Sequence, residues 1–155
     1  MNQLTPKATI AARVVLGLVF LVFGLNGFLQ FLPQPPLPPA AAPFVTGLAS
    51  SGYFFPLLKG IEVLAGVALL SNRFVPLALA VLAPIVVNIA AFHIFLVPGL
   101  PMVVLLLSLE LFLAWSYRAS FAPMLRARAT PESPAGVRLV ASASTNADAK
   151  PQGAL

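Results

Sequence analysis

Long apolar runs, broken by short polar or proline-rich segments, dominate this chain. A hydrocarbon core of about 30 Å is crossed by about 20 residues at a helical rise of about 1.5 Å each. Four runs approach or reach that length: residues 14–32, 54–70, 74–95 and 100–117. Backbone in lipid must satisfy its own hydrogen bonds, so each run predicts a helix. The breaks agree with this reading. Residues 33–43 contain Pro33, Pro35, Pro36, Pro38, Pro39 and Pro43. No helix tolerates that density of missing donors, and an extended outer loop is expected. Phe44–Tyr53 predicts a short interfacial helix or turn closed by Gly52. Ser71-Asn72-Arg73 and Val97–Pro101 predict tight turns, which make successive helices antiparallel. The expected fold is therefore an all-α membrane protein, a four-transmembrane-helix bundle within residues 1–128. Residues 129–155 are rich in Ala, Ser, Pro and Thr and predict a disordered cytoplasmic tail.

Composition sharpens this picture. Hydrophobic residues make up 59% of the chain and charged residues 8%, against roughly 25% charged in soluble domains. The net charge of +5 is not a nucleic-acid signature, because the basic residues flank the apolar runs. With the N-terminus inside, Lys7, Arg13, Arg73, Arg118, Arg126, Arg128, Arg138 and Lys150 all fall on the cytoplasmic side. The outer loops receive none, so the positive-inside rule predicts an N-in/C-in protein. The first run is too long for a signal-peptide core, and a retained helix is expected. The chain has no cysteine and one histidine, which argues against disulfides, thiol chemistry and a protein-ligated zinc or haem. No phosphate-binding loop and no nucleophile–His–acid set is present, so no catalytic residue is assigned.

Polar residues inside the runs carry the candidate chemistry. A charge at mid-bilayer costs at least about 2.5–3.5 kcal/mol and needs partners or water. The candidates are Asn26 and Gln30 in the first helix, Lys59 and Glu62 in the second, Asn88 and His93 in the third, and Glu110 in the fourth. Counting from the cytoplasmic ends, Glu62 and Glu110 lie roughly 12–14 Å deep, and Asn26, Lys59 and Asn88 roughly 18–21 Å. Gln30 lies a turn further out and His93 near the outer interface. Asn26 and Gln30, four apart, are expected to share a face, and Lys59 and Glu62, three apart, to pair. Gly66 continues the Glu62 face, and Gly17 and Gly24 predict a close-packing stripe. Asn88 and His93, five apart, point in different directions, and Pro84 loosens the helix below Asn88. The functional reading is a polar pocket centred on Glu62 and Asn88. Glu62 is the candidate proton carrier and His93 the relay to the outer side. The alternative is a network that only fixes helix packing.

The chain resembles the DoxX family of small four-helix bacterial membrane proteins. The resemblance runs from about Arg13 to Leu125. It rests on Gly17-Leu18-Val19-Phe20 and Gly24-Leu25-Asn26-Gly27, then on Phe44-Val45-Thr46-Gly47-Leu48 and Ser51-Gly52-Tyr53-Phe54. Its most specific pieces are Lys59-Gly60-Ile61-Glu62-Val63-Leu64-Ala65-Gly66 and Pro84-Ile85-Val86-Val87-Asn88-Ile89-Ala90-Ala91-Phe92-His93. The proline-rich loop departs from the pattern, and the tail falls outside it. The resemblance implies a four-helix bundle in the bacterial inner membrane and, through one group of the family, a link to a thiosulfate:quinone oxidoreductase. Its matching positions include Glu62, Asn88 and His93. The leading expectation is a membrane subunit of a quinone-linked redox system, with electrons supplied by a soluble or membrane partner protein. The alternatives are a non-enzymatic scaffold or assembly factor that docks partners or anionic lipid through its basic tail, and a small-solute or proton transporter working as a homo-oligomer.

Overall fold

The computed structural model describes residues 4–33, 36–97 and 99–128. Every regular element among them is helical: α1 (Leu4–Leu29), α2 (Ala42–Ser50), α3 (Phe54–Leu70), α4 (Val75–Phe95), α5 (Leu100–Ser116) and α6 (Arg118–Phe121). The tail expected over residues 129–155 lies outside the described residues. Residues Met1–Phe121 form one compact unit. In the second unit, the described residues Ala122–Arg128 form turns and irregular chain.

The helix ends follow local chemistry. α1 begins ten residues before the apolar run expected at 14–32, because apolarity marks the lipid-compatible stretch and not the limit of helical backbone. It ends at Leu29, where Gln30 turns left-handed (φ 49°) and its amide donates to the Asn26 carbonyl at 2.9 Å. Its length is thus set by a C-terminal cap in which Gln30 takes the place usually filled by glycine. After Pro38 the chain turns, and α2 starts with Pro43 in its first turn, where a missing donor costs nothing. Gly52 (φ 72°) reverses the chain. The Ser51 hydroxyl accepts from the Phe54 amide at 3.2 Å at the start of α3. At the end of α3, Arg73 N donates to Ala68 O and Asn72 N to Leu69 O, with Asn72 left-handed. This double bond pattern closes the helix and produces the tight turn into α4. α4 runs through Pro84 without interruption.

α1 packs on α3 and α5, and α4 packs on the same two helices, so the four long helices form a ring of neighbours. The closest pair is α1 with α3, and glycines set its spacing. A Cβ on Gly66 would lie 2.7 Å from Leu21 N and 2.9 Å from Gly17 O. One on Gly17 would meet Leu70, and one on Gly24 would meet Val63. Ascending positions on α1 thus meet descending positions on α3, an antiparallel contact of small residues. Leu16, Phe20, Leu69, Leu79, Leu82, Val86, Leu106 and Leu113 fill the centre. Arg13 also turns inward, with only 8% of its surface exposed. Its Nη1 donates to the Leu69 carbonyl and, at 3.5 Å, to the Leu70 carbonyl. The guanidinium thus serves two carbonyls at the negative end of α3, one of which, Leu69, also accepts from the Asn72 amide, instead of extending away from the bundle.

Pro6–Leu29 and Val75–Phe95 are each long and apolar enough to cross a membrane. α2 and α3, bent by 93°, reach that standard together, and α5 is a shorter apolar helix. Two or three helices of this kind suggest a membrane protein.

Candidate functional site

The site begins with one helical turn of α3. Lys59 and Glu62 lie three residues apart and therefore on one face. Lys59 Nζ and Glu62 Oε2 form an ion pair at 2.8 Å, as their spacing predicts. The Glu62 side chain is 4% exposed and that of Lys59 23%. Such a pair is tolerable away from water only because each charge has its partner. α1 provides the room. A Cβ on Gly27 would collide with the Lys59 stem, and one on Gly24 would fall 3.1 Å from Glu62 Cβ. Two glycines of α1 therefore accept the ion pair of α3.

Two cavities meet at this pair. One, about 240 Å³, is a groove between α2, α3 and α4, with Phe44, Phe55, Lys59, Glu62, Asn88 and His93 in its wall. α2 closes part of it, and Phe44 sits 5.9 Å from Phe92, ring centre to ring centre. The other, about 210 Å³, lies at the centre of the helix ring, between Phe20, Phe23, Met102 and Leu106 on one side and Lys59, Glu62 and His93 on the other. Lys59, Glu62 and His93 line both, and the remaining wall is apolar except for Asn88 in the groove. A further depression of about 280 Å³ between α3 and α4, bordered by Leu64, Ala68, Phe74 and Val81, carries no polar side chain.

The remaining expected residues separate. Asn88 is exposed and lines the groove together with Glu62, but it has no part in the second cavity. Asn88 and His93 both line that groove, although their spacing did not require it. Asn26 is buried, but its Oδ1 accepts from the Leu32 amide at 2.7 Å. It caps the end of α1 and lines neither cavity. Gln30 lies past the helix end and is exposed, so it shares no helix face with Asn26. Glu110 is buried on the α5 stripe of Val103, Leu106 and Leu113, and its Oε2 has no hydrogen-bond partner. It lies one turn from Leu106 and outside both cavity walls. Spacing gave no sign of the buried role of Arg13. The available signal was its place on the stripe Arg13, Leu16, Phe20, which a charge count at the end of an apolar run overlooks.

Fold and site together define a class: an apolar helical protein with an ion pair and an imidazole on the walls of two half-open cavities. Beyond that class, no protein-family model, curated protein or solved structure matches the chain.

Proposed function

We propose that this chain is a DoxX-like subunit of the bacterial inner membrane, and that Lys59, Glu62 and His93 receive the head group of a quinone. In this reading α1, α3, α4 and α5 each cross the bilayer, with both chain ends cytoplasmic. α3 and α5 have 17 residues each, the short limit of a spanning helix at about 25 Å. The contact of Arg13 with the end of α3 supports this orientation, since it puts a basic residue of α1 beside the turn that carries Arg73.

The observation that carries the proposal is the shared wall: one ion pair and one imidazole between two apolar cavities. Lys59 donates to a carbonyl oxygen, Glu62 and His93 exchange protons with the ring oxygens, and apolar walls take the tail. The chain supplies binding and proton transfer, and a partner protein supplies electrons.

The test is ligand-dependent stability in lipid nanodiscs. A short-chain benzoquinone at a hundred times its Kd adds about 2.7 kcal/mol to the wild type. Glu62→Leu should insert and fold yet lose that gain, and Glu62→Gln should retain part of it. Equal stabilisation by an alkane of matching length would defeat the head-group reading. Orientation is checked separately. The chain has no cysteine, so Val97→Cys should react with an impermeant maleimide from outside and Ser71→Cys only after permeabilisation.

A second reading, a scaffold or assembly factor, draws on the seating of the Lys59 stem against Gly27. It requires the ion pair only for packing, and a Lys59→Met, Glu62→Leu double variant with full phenotype would favour it.

A further inference from the structure

The depression between α3 and α4 is apolar along its whole length and ends beside a charge. It runs past residues 61–68 of α3 and 74–81 of α4, about 10 Å of helix. Ala65 and Ala78 are its buried lining, and Leu64, Leu77 and Phe74 its exposed lining. A tight turn joins the two helices, so Ala68 and Phe74 mark the end next to Ser71-Asn72-Arg73.

Arg73 is exposed in that turn. Its backbone amide helps to close α3, while its guanidinium makes no hydrogen bond or ion pair among the described residues. Arg13 and Arg118 differ, because both are engaged within the chain. Arg13 donates to the carbonyls that end α3, and Arg118 donates to the Trp115 carbonyl at 3.0 Å and covers the Trp115 ring. A free cation one residue from the end of an apolar groove complements an amphiphile with an anionic head and a hydrocarbon tail. Phe74 adds an independent sign. It stands left-handed at φ 56° and ψ 30°, a conformation that a bulky residue holds only under constraint. Its ring is exposed, so burial within the chain does not offset that strain. A molecule lying in the groove covers the ring.

Size chooses among apolar occupants. A helix segment as long as the groove, about 10 Å across, fills roughly 800 Å³. The groove holds about 280 Å³, room for one unbranched hydrocarbon chain and not for a helix. We infer that the α3–α4 groove binds one acyl chain of an anionic phospholipid, whose phosphate is held by Arg73. The inference makes no use of the head-group site at Lys59, Glu62 and His93. It rests only on the reading that these helices cross the bilayer with the Ser71-Asn72-Arg73 turn at its surface.

The experiment uses the full chain in phosphatidylcholine vesicles. Each sample holds a trace of phosphatidylglycerol, or of phosphatidylcholine, with a diazirine in one acyl chain. After irradiation, adducts are mapped by peptide mass spectrometry. Ala68, Leu77 and Val81 should be labelled in excess of the outward-facing Leu111. Phosphatidylglycerol should lead phosphatidylcholine there by about fivefold, the value of one basic residue at an anionic surface. Arg73→Gln should make the two lipids label alike, and Arg73→Lys should keep most of the preference. Phe74→Gly should lower groove labelling by both lipids while raising stability in detergent, a combination that a purely structural role does not give. Equal labelling by the two lipids in the wild type, or a preference unchanged in Arg73→Gln, would overturn the inference. So would a chain-to-chain disulfide through Leu77→Cys at high lipid-to-protein ratio, which would put a second copy over the groove. Absence of adducts from every helix would defeat the membrane-spanning reading, and the lipid site with it.

Discussion

The glycine contact between α1 and α3 gives a prediction whose sign can be read from two positions on one helix. A methyl group on Gly66 would lie 2.7 Å from the Leu21 amide nitrogen and 2.9 Å from the Gly17 carbonyl oxygen. Both are backbone atoms, so no side chain can swing aside. Ordinary contact begins near 3.4 Å, and α1 would have to retreat by about 0.7 Å along its closest approach to α3. A gap of that size forfeits a quarter to a half of the dispersion energy of the contacts it opens. Overpacking of this kind costs about 1–3 kcal/mol. Gly60, six residues earlier on the same helix, has nothing within 4 Å of the same added methyl. There the substitution only removes glycine's backbone entropy, and Gly60→Ala should stabilise by about 0.5–1 kcal/mol. The assay is equilibrium unfolding in mixed micelles, followed by helical circular dichroism and by the fluorescence of the single tryptophan, Trp115. Gly66→Ala should fall below the wild type and Gly60→Ala above it. Equal stabilities for the two variants would refute the close antiparallel contact of α1 with α3.

Two further predictions concern helix ends. Arg13→Met should destabilise by about 2 kcal/mol, since it removes charge-assisted hydrogen bonds from two terminal carbonyls of α3. Arg13→Lys should recover part of the loss in the same unfolding assay, and full stability of Arg13→Met would show the contact to be dispensable. Phe74 stands left-handed at φ 56° with 69% of its surface exposed. A left-handed non-glycine residue costs about 1–2 kcal/mol, so Phe74→Gly should stabilise by about 1 kcal/mol in detergent. A loss there would mean that the ring's contacts along the α3–α4 depression outweigh its backbone strain.

The four long helices were legible in the sequence because lipid demands an apolar run of a certain length, and composition alone reports it. The Lys59–Glu62 pair was legible because three residues of helix bring two side chains to one face. The end of α1 was not. Nothing in the order Asn26 to Leu32 announces that an asparagine side chain will accept the Leu32 amide, so Gln30 read as one more helical residue. The meeting of His93 with Lys59 and Glu62 was only half visible. Each residue was picked out as polar in an apolar helix, but their shared cavities depend on how α4 is rotated against α3. The groove that Asn88 shares with them has α2 as one of its walls. These are tertiary facts with no local periodicity behind them. Glu110 shows the same limit from the other side: its depth along α5 could be counted, while its burial with no hydrogen-bond partner for Oε2 follows from the packing of α5 on α1 and α4.

The proposed head-group site requires that the cavities lined by Lys59, Glu62 and His93 admit a ring-bearing ligand from the lipid. The most direct measurement is photolabelling in native-lipid nanodiscs with an azido-benzoquinone, followed by peptide mapping. Adducts are expected on the walls of the α2–α4 groove, around Phe44, Asn88 and Phe92. They should be competed by excess unmodified quinone and absent from Glu62→Leu. Adducts spread over the outward-facing Leu111 and Trp115, unchanged by competitor, would contradict it.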